Sequence, residues 1–499
     1  RLSHRGASRD DDSTARRLSW AINKDGRPTL MSTLALFWPH PALATAADPL
    51  TAARDDAGLV DARAVASLIT SEGDDIEPST AFFTYPGAIP AGVDPLRVSA
   101  FLADDVDRDD STGPDRFDDY LRAAAASMHE PRSGHRDLGR IAAHSPGSIA
   151  YRALRTAASE ESTEAGLWRA AWQLSRSLRL LFDRPETSAL LDGLYDELND
   201  DKARYWSTIL DYCADGNLQA VLDEYVYQLR SEAGGKLLDD EGLLTAAAQI
   251  GAAIGMRPAM LQGREATAER AEIHFPTRFA VRYGGTGSDA DAQVAARQSG
   301  VRAAFNSPFA PFVLASTSIG QEGIDFHWWS HAVVHWNLPS NPVDFEQREG
   351  RVHRYMGHAV RKNVAAAHWG DVLTSPEAPW DAAFEAALTA SVASGSGQFS
   401  PWWVYDGDAR IHRRIASFTL SREHGRYERL LDALTLYRLT LGQPRQEDML
   451  RLMKQNGVDA GSTVRAGSID LRAPQTVDVV GAVIWRDGLV LAAQRGPNQ

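Results

Sequence analysis

Several features that would each have fixed the class of this sequence are missing. It has one cysteine, Cys213, in 499 residues, which excludes an internal disulfide and a cysteine-rich zinc site. A reducing compartment, and so the cytoplasm, is the expected location. No run of about 18 apolar residues occurs, so neither a membrane-spanning helix nor a membrane partner is expected. The opening RLSHRGASRD has no apolar core of a secretory signal. It has no initiator methionine either, and the expectation is a natural N-terminus further upstream. A basic excess is also absent. The formal net charge is -14, which argues against indiscriminate coating of nucleic acid but leaves room for a local basic groove.

What is present is ordinary for a soluble globular chain, with 43% hydrophobic and 24% charged residues. The length suits roughly two to four domains. One acidic run, including Asp104, Asp105, Asp107, Asp109 and Asp110, reads as a solvated loop. Residues 341–363 have the opposite balance. Arg348, Arg351, Arg354, Arg361 and Lys362 face only Asp344, Glu346 and Glu349 there.

Periodicity divides the chain. Residues 1–135 are broken by Pro, Gly and Asp and receive no fold, although residues 81–85 read as a short strand. Residues 136–265 read as helical. Leu218, Val221, Leu222, Tyr225, Val226 and Leu229 form one apolar helix stripe, preceded by the break at Asp215-Gly216-Asn217. Residues 266–375 change grammar: strand 279–283, helix 290–305, buried strand 311–316, strand 332–338 closed by Pro339 and Pro342, then a helix over 343–354 with Asn341 before it. That order predicts a parallel α/β sheet with covering helices. Residues 376–465 read as a helical extension with a flexible joint at 394–397 and an amphipathic helix over 427–441, ended by Gly442 and Pro444. Residues 466–499 are a linker and a terminal strand pair. No internal repeat is visible.

The chemistry is concentrated in one block. It runs ASTSIGQEGIDF (residues 315–326), then HWNLPSNPVDFEQREGRVHRY (residues 335–355). Arg351 and Arg354 are three residues apart, which on a helix puts two guanidinium groups on one face. Read alone, such a pair is usually a solvated face neutralised by neighbours such as Glu346 or Glu349. Trp328, Trp329 and Trp336 read as core residues before base-stacking ones.

The block resembles motifs V and VI of superfamily 2 helicases, nearest the Swi/Snf-like branch. The resemblance rests on Ser-Thr before a Gly-rich turn ending in Gly-Ile-Asp, on Leu-Pro-x-Asn-Pro, and on Gln-x-x-Gly-Arg-x-x-Arg, in the correct order. It implies a RecA-like lobe flanked by helical regions, bound to ATP and Mg2+ across a cleft mainly from a preceding lobe. It assigns catalytic roles to Arg351 and Arg354 as arginine fingers and to Gln347 beside the nucleotide or its attacking water. Gly323, Asp325 and Gly350 would line the nucleotide, while Ser316 and Thr317 would donate to nucleic-acid phosphates without reading sequence. DNA is favoured over RNA as the partner. His353 is read as structural. Ser318-Ile319 and Gln321-Glu322 depart from the usual motif V.

A motor of this class also needs a Gly-x-x-x-x-Gly-Lys-Ser/Thr loop and an Asp-Glu pair at a strand end. Gly234-Gly235-Lys236 imitates the loop, but Arg230 stands for the first glycine and Leu237 for the hydroxyl. Asp223-Glu224 and Asp240-Glu241 imitate the pair without a strand before them, so no metal ligand is assigned. The expectation is a chain lacking its phosphate-binding half, inactive in ATP hydrolysis by itself. At the other end, VDVVGAVIWRDGLVLAAQRGPNQ (residues 477–499) resembles the opening hairpin of a Nudix hydrolase, turning at Arg486-Asp487-Gly488. Two other readings stand beside the motor: a catalytically silent binding scaffold, and a helicase–Nudix fusion whose activity is hydrolysis of nucleotide diphosphate linkages.

Overall fold

The computed structural model describes residues 36–56, 138–195, 205–255, 259–264, 272–277, 300–315, 325–416, 423–439, 455–457, 484–486 and 489–491. The strand expected at 81–85, the strand at 279–283, the linker at 466–476, and Ser316, Thr317 and Gly323 lie outside these residues. The chain divides into two compact units, residues 1–281 with 287–313, and residues 282–286 with 314–499. No described helix is long and apolar enough to cross a membrane.

Among its described residues the first unit is mainly helical: α1 (Pro41–Ala46), α2 (Pro49–Arg54), α3 (Leu138–His144), α4 (Pro146–Arg155), α5 (Glu164–Phe182), α6 (Pro185–Tyr195), α7 (Tyr205–Asp215), α8 (Leu218–Glu232) and α9 (Asp240–Gly255). Strands β1 (Ala259–Arg264) and β2 (Glu272–Thr277) pair antiparallel after them. Its core is aromatic. Trp168 and Trp172 stack with centroids 6.1 Å apart, and Trp38 packs on both. The Trp168 indole N–H donates to the Pro39 carbonyl at 2.9 Å, so the ring's polar edge is satisfied as it is buried. Arg152 is buried and donates to the carbonyls of Ala44, Ala142 and Ala143, where helices α1 and α3 end. A guanidinium with its fixed fork of donors is suited to gathering orphan helix-end carbonyls.

The stripe predicted from Leu218 onward is α8, and it buries Leu222, Tyr225 and Val226. The preceding break is realised as Asn217 at φ +51°, whose side chain accepts from the Ala220 amide. The two acidic pairs are built into helices. Asp223 sits on α8, where burial pushes its carboxyl up to about 7 and Gln219 donates to it at 2.7 Å. Asp240 opens α9 and accepts from both the amide and hydroxyl of Thr163 at 2.7 Å. Gly234 and Gly235, with φ of +99° and +76°, turn the chain out of α8.

The second unit contains β3 (Ala332–His335), α10 (Pro342–Gly350), α11 (His358–Thr374), α12 (Pro379–Ala393), β4 (His412–Ile415), α13 (Glu423–Leu439) and the hairpin β5 (Ile484–Arg486) and β6 (Leu489–Leu491). Strands β3 and β4 run parallel, with Val333 opposite Arg413 and His335 opposite Ile415. The unit is mostly helical around this small parallel sheet, an arrangement compatible with an α/β lobe. Leu338, Phe345, Leu430 and Leu434 form a buried cluster where α10 meets α13. The joint expected at 394–397 follows α12 directly, with Gly395 at φ +69°.

Two expectations are corrected. Residues 311–315 form no strand, and Phe312 and Val313 are 78% and 84% exposed. An apolar run becomes a strand only with ladder partners for its backbone, and among the described residues none pairs with 311–315. The second concerns the helix expected over 343–354. It stops at Gly350, so Arg351 caps it and Arg354 lies in the turn beyond rather than on a shared helical face. The Arg351 carbonyl, which a continuing helix would offer to residue 355, instead accepts from the Phe326 amide at 2.9 Å. The Met356 amide donates to the Trp402 carbonyl at 2.7 Å, and Met356 is left-handed at φ +50°.

Candidate nucleotide-facing site around Arg354

The site grows from the start of α10. Asn341 accepts from the Val343 amide through its side chain at 2.9 Å, and Pro342 occupies the first helical turn, where its missing N–H costs nothing. Asn341→Ala is expected to lower the stability of this unit by about 1 kcal/mol, read as a shift in its urea midpoint. An unshifted midpoint would show that the cap is dispensable.

Glu349, one residue before the helix ends, holds α10 to both strands. Its carboxylate accepts from His335 of β3 at 3.1 Å and takes a two-pronged grip from Arg413 of β4, with both contacts at 2.5 Å. Arg413 also donates to the Tyr427 hydroxyl at 3.2 Å, and its guanidinium lies 4.8 Å from the Phe345 ring centroid. Burial alone would raise the Glu349 carboxyl. The hydrogen bonds from His335 and Arg413 and the Arg413 charge outweigh it and bring it down to about 2.

Beyond α10 the chain meets the segment that follows the Gly-rich turn. Arg354 and Asp325 form an ion pair at 2.9 Å, beside the Phe326-to-Arg351 backbone bond. The Arg354 side chain is 44% exposed and also donates to the Gly350 carbonyl at 3.1 Å. Arg351 is half-buried and Gln347 is exposed on the outer face of α10. A side chain added at Gly350 would meet nothing within 4 Å, so the chain's own packing does not require glycine there. The carboxylates that local pairing would have used are committed elsewhere. Glu346 pairs with Arg438 at 2.9 Å and Glu349 with Arg413.

Arg361 fixes the turn from below. It is fully buried, donates to the Met356 carbonyl at 2.6 Å and to the Trp328 carbonyl, and lies against the Trp328 and Trp329 rings. Trp328 is itself buried, in keeping with a packing role, whereas Trp336 is 73% exposed. His358, behind Arg361, is lowered to about 4 by burial first and then by the Arg361, His331 and Lys362 charges. It is therefore neutral at pH 7.

Sequence reasoning missed the organising role of Glu349, which it treated only as a possible neutraliser of the arginines. It also missed β4, because His-Arg-Arg-Ile has no apolar alternation. No local signal marked either, since each acquires its role from residues more than three helical turns away in the sequence: His335 and Arg413 for Glu349, and β3 for β4.

Residues 286–356 match the helicase conserved C-terminal domain. This supports a helicase C-terminal lobe here and a helicase- or ATPase-type enzyme family, whose domains generally bind nucleic acid. The matched segment ends at Met356, two residues past Arg354, and includes portions of both compact units. No curated protein and no solved structure matches the chain significantly.

The fit to a nucleotide can be judged on the side chains. A triphosphate requires cations at an accessible surface, and Arg354 presents an exposed guanidinium to an oxyanion, the role a phosphate oxygen can take over. Among the described residues no three acidic, histidine or cysteine side chains are grouped to hold a metal ion.

Proposed function

We propose that this chain contributes the second ATPase lobe of a Swi/Snf-like superfamily 2 motor, acting on nucleic acid in the cytoplasm, with DNA as the favoured substrate. The observation that carries the reading is the Arg354–Asp325 pair. It joins the end of the Gly-rich segment to the end of the arginine motif at 2.9 Å on an accessible surface.

In this reading Arg351 and Arg354 offset charge developing on the transferred phosphoryl group, and Gln347 orients the nucleotide or the attacking water. ATP with magnesium supplies the phosphoryl group, held mainly by a lobe carrying the phosphate loop. Gly323, Asp325 and Gly350 border the nucleotide, and Ser316 and Thr317 grip a phosphate of the strand. Asp325 holds Arg354 in place until phosphate oxygens compete for it, so nucleotide arrival and movement of the Gly-rich segment are linked through one cation. By itself the lobe is inactive in ATP hydrolysis.

The test is ATP hydrolysis by the protein joined to a lobe with a phosphate loop and acidic box, with and without single-stranded and duplex DNA. Stimulation by nucleic acid is expected, and hydrolysis indifferent to it sinks the motor. The antiparallel pairing of β5 and β6, with Arg486 opposite Leu489, supports a second reading, that a Nudix-type domain begins there. A glutamate-rich Nudix box following Gln499 in the gene would bear on that directly.

A further inference from the structure

Immediately after Arg354 the chain sets up an aromatic corner that the ATPase reading does not use. Tyr355 stacks on Trp402 with centroids 5.9 Å apart and planes 20° from parallel. Trp402 stacks in turn on Phe384 of α12, at 5.2 Å and 3°. Phe384 is buried, while Tyr355 and Trp403 are each 43% exposed. The stack thus climbs from the core to the surface and ends in an open ring. Trp403 stands against Tyr355 at 5.9 Å and 67°. One ring is the floor and the other a wall, and a planar group can rest on the first against the second. The backbone beneath is fixed by the Met356-to-Trp402 bond, and Arg361 ties Met356 to the core. Such a corner needs little ordering when a ligand arrives.

We propose that Tyr355 and Trp403 form a stacking seat for an unpaired nucleobase of a single strand whose phosphates pass the exposed His353. Three features favour this occupant. An aromatic face accepts any base, which suits binding without sequence preference. His353, two residues before Tyr355, is exposed and offers a ring N–H donor to a phosphate oxygen of the backbone. The segment ending at Met356 belongs to a domain type that generally binds nucleic acid. The inference rests on the nucleic-acid reading above but assigns residues that reading leaves idle.

The experiment is fluorescence anisotropy of this chain with a labelled single-stranded oligonucleotide at low salt, set against an oligonucleotide of equal length and charge carrying abasic sites. Tyr355→Ala and Trp403→Ala are expected to weaken binding of the intact strand roughly tenfold or more, the loss typical of one stacked base. Both are expected to bind the abasic strand as the wild type does, and Tyr355→Phe should retain affinity. Equal affinity of the wild type for intact and abasic strands overturns the seat, even if nucleic acid still stimulates ATP hydrolysis. If the wild type binds no strand, the nucleic-acid reading itself fails. Loss of strand binding in an alanine variant whose thermal transition has also moved would mark a folding defect. Tyr355→Leu, apolar but not aromatic, then decides, and wild-type affinity in it overturns the proposal. Competition of the strand by ATP alone at the Tyr355 corner would assign the seat to the nucleotide and overturn it as well.

Discussion

Glu349→Ala is expected to destabilise the second unit by about 2–3 kcal/mol, somewhat under the range for a fully buried pair because Arg413 keeps partial contact with water. The loss is large because one carboxylate satisfies two elements. Without it, Arg413 keeps only the Tyr427 hydroxyl among its side-chain hydrogen bonds seen here, and buried His335 loses its acceptor. The strands of the parallel pair then keep only ring contacts with Phe345 of α10, from His335 and from the Arg413 guanidinium, in place of the carboxylate. Glu349→Gln should cost less, since an amide can accept from Arg413, but it removes the charge.

The acid dependence identifies the cause. Glu349 is lowered in the folded protein to about 2 from an ordinary 4.5. Its contribution is therefore complete above about pH 4.5 and falls away as pH drops toward 2. The stability gap between wild type and Glu349→Gln should narrow over that window and stay constant above it. Urea denaturation followed at pH 7, 5, 4 and 3 gives the answer, and a gap as wide at pH 3 as at pH 7 would remove the ion pair as the cause.

How much of this was legible beforehand depends on whether the cause was local. The Leu218 stripe, the Asn217 break, the Asn341 cap and the joint after α12 are dictated by residues within a turn or two of each other, and each appears where the sequence puts it. The helicase-type segment was legible in the sequence, and a family match covers residues 286–356, but the geometry around Arg351 and Arg354 was not. Spacing of three residues implies a shared helical face only while the helix continues, and Phe326, twenty-five positions earlier, ends it by taking the Arg351 carbonyl. The same limit hid β4. Its partner β3 is an apolar strand visible in the sequence, while His412, Arg413, Arg414 and Ile415 become a strand only because β3 offers a free edge. The aromatic corner was equally unreadable, since Tyr355, Trp402 and Phe384 are brought together by turns rather than by periodicity.

The arginine assignment makes the largest kinetic prediction. In a protein that includes a phosphate loop and acidic box, Arg351→Ala and Arg354→Ala should each lower nucleic-acid-stimulated ATP turnover by about a hundredfold or more, the scale of removing an arginine finger. Stability separates this from damage to the fold. Arg354 is an exposed partner of Asp325, and pairs of that kind contribute only about 0–1 kcal/mol. The Arg354→Ala protein should therefore melt almost where the wild type does while losing nearly all turnover. Arg354→Lys should not restore it, because an ammonium lacks the planar fork that engages two oxygens at once. Asp325→Asn separates placement from charge. If Asp325 only holds Arg354 ready, its amide should cost far less turnover than loss of the arginine, because ATP provides the competing oxyanion. Turnover unchanged by Arg354→Ala, or lost equally through Asp325→Asn, would make the pair a structural clasp between two segments and remove Arg354 from the chemistry.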